Sequence, residues 1–195
     1  MVRVNAGVAN PEGGAGLPAG IYHVLVKASG MDPKQPNKVK VTFECLAGKT
    51  AAGDTVGCVG GMHTEWFEPE DEPGKMSKIF QYAWAVGLIT REQWKALHEA
   101  KTSLDLPIEN TSGKQCCIEI QTKEGKPGTK NAGKMFQNVD YRFFPVWDEK
   151  CEHYPKDMNW AQSVPGRLPG AAAPPPAEAA PSATAPAPGE AYGGF

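Results

Sequence analysis

The sequence predicts a mainly β protein: one domain of five strands with a helical insertion, followed by an extended tail. Three observations carry this. Residues 38–45 alternate apolar and polar side chains, the mark of a half-buried strand; the period lengthens to that of a helix between 75 and 98, then returns to two; and beyond Ser163 the chain is mainly Pro and Ala. At 195 residues and 41% hydrophobic content, the chain has room for one ordinary core plus something extra.

Residues 1–18 are rich in Gly, Ala, Asn and Pro, show no periodicity and read as a flexible arm. The domain is expected over 19–160. In "GIYHVLVKASG" Tyr22, Val24 and Val26 share one face and His23, Leu25 and Lys27 the other, and "GMDPKQPNK" reads as the closing turn. In "KVKVTFECLAG" Val39, Val41, Phe43 and Cys45 face one way, and Lys38, Lys40, Thr42 and Glu44 the other. The third apolar run, "TVGCVGGMHTEWF", is broken by Gly57, Gly60 and Gly61, which suggest a bulge or sharp bend. Acidic "EPEDEPG" then interrupts the sheet.

Met76, Ile79, Phe80 and Ala83 recur at helical spacing, with Gly87 placed for a left-handed cap. "TREQ" sets Thr90 three residues before Gln93, a capping-box pattern, and Trp94, Leu97 and His98 follow on one side of a second helix. A fourth strand alternates Cys116, Ile118 and Ile120 with Cys117, Glu119 and Gln121. The fifth alternates Val139, Tyr141 and Phe143 with Asp140, Arg142 and Phe144, so Tyr141 and Phe143 are expected in the core and Phe144 outside. Three strands, a helical hairpin and two strands is the order of the OB-fold, a partly open Greek-key barrel whose strand 4–5 loop borders the ligand groove. A different five-strand barrel or a small sandwich is the alternative.

Charge and chemistry narrow the function. The net charge is −2, and Arg167, Glu178 and Glu190 are the only charges after Ser163, so the body is near neutral and any nucleic-acid contact must be a local patch. Such a patch is visible: Lys123, Lys126, Lys130 and Lys134 lie in the Gly- and Pro-punctuated loop before the fifth strand. Lys38 and Lys40 on the second strand, Lys27 on the first and Arg142 on the fifth extend it. Trp66 and Phe136 are the preferred base-stacking aromatics, with Phe144 on the exposed face of its strand; stacking is worth about 1–3 kcal/mol per base.

Enzyme motifs fail on inspection. "GKT" at Gly48–Thr50 lacks the phosphate loop's earlier glycine, since position 43 is Phe43; no C-x-x-C accompanies Cys58 with His63 or Cys151 with His153, so neither a metal nor another cofactor is expected. The chain reads as a non-enzyme. Five cysteines, an odd number, and the lack of a signal-like start suggest reduced thiols and a cytoplasmic protein, the bacterial host's cytoplasm for a phage product. No run approaches the roughly 18 apolar residues of a membrane span.

"LPAGIYHVLVKA", "AVGLITREQW" and "GKMFQNVDYRF" resemble a group of small bacteriophage proteins of unassigned function, thought to adopt an OB-fold like that of single-stranded DNA-binding proteins; the likeness covers about residues 17–147. It implies sequence-tolerant single-stranded DNA binding in phage DNA replication or recombination. Four-subunit assembly is common among single-strand binders, so a homo-oligomer is a further expectation. Residues 161–195 are expected to be a disordered tail, similar in layout to the tails of bacterial single-stranded DNA-binding proteins. Phe195 matches their ending and, with Tyr192, would contact replication or recombination proteins. Glu190 is its one nearby acid, and Gly194 replaces the proline. The alternative is a protein-interaction module using "EPEDEP" or that tip.

Overall fold

A computed structural model describes residues 16–53, 58–68, 78–100, 102, 104–125, 127–128 and 132–165. Its centre is an antiparallel sheet of β1 (Gly20–Asp32), β2 (Gln35–Thr50), β3 (Met62–Phe67), β4 (Gln115–Glu124), β5 (Met135–Asn138) and β6 (Phe143–Phe144). The strand order is β3-β2-β1-β4-β5, with β6 also on β4, and the sheet does not close on itself. Helices α1 (Lys78–Ala85) and α2 (Arg91–Ala100) stand between β3 and β4 as expected, and α3 (Met158–Ala161) follows β6. Among the described residues no helix is long and apolar enough to cross a membrane.

The alternation of β2 does what its pattern dictates, burying Val39, Val41, Phe43 and Cys45. Three irregularities interrupt the β1–β2 ladder, one at Lys27 on β1, one at Leu46 on β2 and one beside the turn at Asp32, and bulges of this kind bend a hairpin and leave a hollow on its core side. Into that hollow α1 inserts Tyr82, whose ring meets Phe43, Phe67 and Phe143 at centroid separations of 5.1–5.9 Å. The Tyr82 hydroxyl donates to Thr111 Oγ1 (2.8 Å from there to the Ile108 carbonyl), so the buried polar group is satisfied. Gly48 lies flat beneath Tyr22, where a Cβ would come 2.1 Å from the ring.

Both helix signals take the expected form. Gly87 has φ +72° and Leu88 N–H reaches back to the Ala83 carbonyl at 2.8 Å, while Thr90 and Gln93 exchange side-chain-to-backbone bonds of 2.8 and 3.2 Å. His98 is exposed, its ring stacked on Trp94 at 5.5 Å.

Three expectations are corrected. The closing turn is much shorter than "GMDPKQPNK": β1 runs to Asp32, and Pro33 and Lys34 alone make the reversal, with Asp32 Oδ1 accepting from Lys34 N–H at 2.9 Å. The fifth strand is two pieces, because Asp140 adopts φ +56° and breaks the alternation. Tyr141 is therefore 47% exposed, not core, while Phe143 beyond the break is buried. Packing also reaches past both expected ends of the domain: Leu17 is buried, and Trp147 Nε1 donates to the Val164 carbonyl at 3.1 Å.

The outward face of β1 and β4 is covered as well. Residues 145–164 lie over it, and Cys117, Cys151, Tyr154, Ile21 and Phe144 form a second small core there. His23, on the face opposite Tyr22 and Val24, is fully buried: its Nε2 pairs with Gln115 Oε1 at 3.0 Å, and its Nδ1 accepts from Asp157 N–H at 3.2 Å. This arrangement requires the neutral ring, and burial holds the pKa down at about 4.

Candidate nucleic-acid interface

The outward face of β1–β2–β3 is left bare by every other element described. Register fixes its layout: Lys40 stands opposite Trp66 on β3 and opposite Gly30 on β1, and Thr42 stands between Thr64 and Ala28. Gly30 and Ala28 carry almost no side chain, so the face is low beside Lys40 and Trp66 protrudes at its rim. Trp66 is 44% exposed, which places it outside the core.

Its ring is tied down by one edge. Trp66 Nε1 donates to Asp32 Oδ2 at 2.8 Å, across 34 residues of sequence. Asp32 thus shapes the β1–β2 turn with one oxygen and holds the indole with the other. The N–H groups of Lys34 and Trp66, in that order, keep its carboxyl below the ordinary aspartate range. An aromatic held by its polar edge with its ring exposed is a ready stacking surface, because the ordering entropy is already spent before a ligand arrives.

The other sequence-predicted residues fall in separate places. Lys27 pairs with Glu44 and Lys38 with Glu68, each at 2.8 Å, both on the β1–β3 outer face. Lys123 stands opposite Phe136 on β4–β5, a second lysine–aromatic cross-strand pair; Phe136 is 41% exposed, and Lys123 pairs with Asp140 at 2.7 Å. Lys134 is exposed in the loop. Arg142 is bound to Glu119 at 2.6 Å. Phe144 is corrected: it packs edge-on to Tyr154 at 6.2 Å and is partly buried against the second core, not on an exposed strand face. Lys126, Lys130, Tyr192 and Phe195, and the acidic loop from Pro69 to Pro73, lie outside the described residues.

Sequence reasoning missed a buried ionic cluster where β3 meets the chain after β5. Glu65 Oε1 accepts from His63 Nε2 at 2.9 Å and from Val139 N–H at 2.7 Å, and Oε2 accepts from Lys78. Burial alone would raise the Glu65 pKa, but the His63 bond and the Lys78 charge outweigh it, and the carboxyl sits below the ordinary glutamate range. The inward positions of His63, Glu65 and Phe67 follow from alternation against exposed Met62 and Trp66, which was the available signal. This side-chain clasp joins the two ends of the strand order without a ladder. Among the described residues no group of His, Cys, Asp and Glu is arranged to hold a metal.

No protein-family model matches the chain, and no curated protein matches it either.

Proposed function

We propose that the protein binds single-stranded DNA with little sequence preference, laying the strand across the bare outward face of β1–β2–β3. The single observation that carries this is the Lys40–Trp66 cross-strand pair, a cation beside an aromatic fixed by Asp32. Lys40 would hold a phosphate while the neighbouring base stacks on Trp66. Lys27 and Lys38 would add to the track by exchanging carboxylate for phosphate, a cheap exchange because exposed ion pairs are worth only about 0–1 kcal/mol. The pair Lys123 and Phe136 is the second contact point, with Lys126, Lys130 and Lys134 of the same loop around it.

The architecture behind this reading is an OB barrel opened at one edge. What supports it is β1 paired on both sides by β2 and β4, the helical hairpin between β3 and β4, and the Glu65–Val139 clasp at the edge where such a barrel would close. A role in phage replication or recombination, and a homo-oligomeric state, rest on the family resemblance alone.

The second reading, a protein-docking module, draws on the neutralised cations: Lys27, Lys38, Lys123 and Arg142 each hold a carboxylate, and Met62 is exposed on the Trp66 face. Titration with an unstructured deoxythymidine oligonucleotide decides between them. Single-strand binding gives tryptophan quenching that weakens with salt, at a log-log slope of about −0.7 per phosphate contacted. An unresponsive protein at low salt would favour the docking module.

A further inference from the structure

A concave site elsewhere shares no residue with the Trp66 face. It is a cavity of about 130 Å³ between α1, α2 and the short 3-10 turn Glu149–Cys151, lined by Phe80, Gln81, Trp84, Arg91, Trp94 and Lys150. Its aromatic walls are held in place: Trp94 stacks on His98 with ring planes 16° apart, and the Arg91 guanidinium lies 5.4 Å from the Trp84 ring centre. Gln81 is fixed by donating to the Phe143 carbonyl at 2.9 Å. For scale, an apolar cavity of about 150 Å³ admits one benzene ring.

Two cations, Arg91 and Lys150, stand at its rim. Among the described residues, ion pairs involve Lys27, Lys38, His63, Lys78, Lys123 and Arg142, and neither Arg91 nor Lys150 is among them. Both are exposed. Aromatic walls flanked by two cations that make no ion pair among the described residues match a planar ring bearing a dianion. A phosphomonoester carries about −1.5 to −2 at neutral pH, and guanidinium takes its oxygens through paired N–H bonds.

We propose that this cavity is a mononucleotide site, taking the edge of a pyrimidine base beside Trp84 and Trp94 with its phosphate between Arg91 and Lys150. The nucleotide is either free or the 5′-phosphorylated end of a strand. The site stands independently of what the Trp66 face binds.

The test uses the full chain and the indole N–H signals of its five tryptophans in ¹H–¹⁵N spectra. Thymidine 5′-monophosphate is expected to shift Trp84 and Trp94 saturably while Trp66 stays in place. Thymidine, which lacks the phosphate, should bind at least about tenfold more weakly, and R91Q with K150Q should cost a similar factor. Tighter binding of 5′-phosphorylated octathymidylate at these same signals would identify a strand end as the source; equal or weaker binding would identify the free nucleotide. The proposal is overturned by a response confined to Trp66, by no saturable response, or by an unchanged affinity in the double variant. It is also overturned if a peptide of residues 189–195 moves Trp84 and Trp94 where the nucleotide does not, which would give the cavity to the tail.

Discussion

The two halves of the sheet's outward surface have opposite fates. Over β1, β4 and β6 the segment 145–164 lies down and buries His23, Cys117, Cys151 and Tyr154; over β1–β3 nothing among the described residues covers Lys40, Thr42, Thr64 and Trp66. Neither half is simply apolar or polar. The difference lies in how polar groups are used: the covered half satisfies its own with internal partners, whereas the bare half holds a large aromatic in place and leaves its face open. Side chains of the first half should therefore govern stability, and those of the second should govern binding.

Tyr154→Ala should have the largest effect, since it empties the centre of the second core: a loss of about 3–5 kcal/mol in chemical unfolding, the range for large-to-small aromatic changes. Oligonucleotide affinity of the remaining folded protein should be unchanged. Acid should act on the same half. With the His23 pKa lowered from 6.5 to about 4, the folded protein refuses a proton that the unfolded chain accepts, so stability is full above pH 6.5 and falls as pH drops toward 4. The loss should reach about 3 kcal/mol. In His23→Gln, unfolding midpoints followed across that range should lose most of this slope.

The bare half should respond in the opposite sense. Trp66→Ala should cost stability no more than about 1–2 kcal/mol, because its outward ring supports little packing and the main loss is its bond to the Asp32 carboxylate. It should weaken single-strand binding by about 1–3 kcal/mol in a fluorescence-anisotropy titration with a labelled strand. Asp32→Ala should have the smallest effect, roughly two- to tenfold in affinity, by releasing the indole that it holds. If Asp32→Ala matched Trp66→Ala, the aspartate would be contributing more than orientation.

The contrast between halves also explains what the sequence could show. The alternation at 38–45, the capping box at Thr90 and the Gly87 cap are local signals enforced by backbone geometry, and each survives in the structure. The cover over His23 leaves no such trace: "PVWDEKCEHYPKDMNWAQ" forms a 3-10 turn and one short helix, each started by an aspartate, Asp148 or Asp157, and has no period to read. The run Val139–Phe144 looks continuous because its alternation masks Asp140, although aspartate is among the few residues that tolerate the left-handed backbone found there. At the candidate site, lysine positions were readable but their partners were not, since Lys27 meets Glu44 only through a cross-strand register shifted by a bulge. The Trp66–Asp32 bond likewise depends on β1 and β3 flanking β2, which no local pattern encodes.

The central claim is that the Lys40–Trp66 face holds a single strand. The most direct measurement is the affinity of wild type, Trp66→Ala and Lys40→Gln for a deoxythymidine oligonucleotide across a salt series. The account predicts that Trp66→Ala lowers affinity with the salt slope kept, while Lys40→Gln lowers affinity and flattens the slope by about 0.7. Equal affinity and equal slope in all three proteins would contradict it.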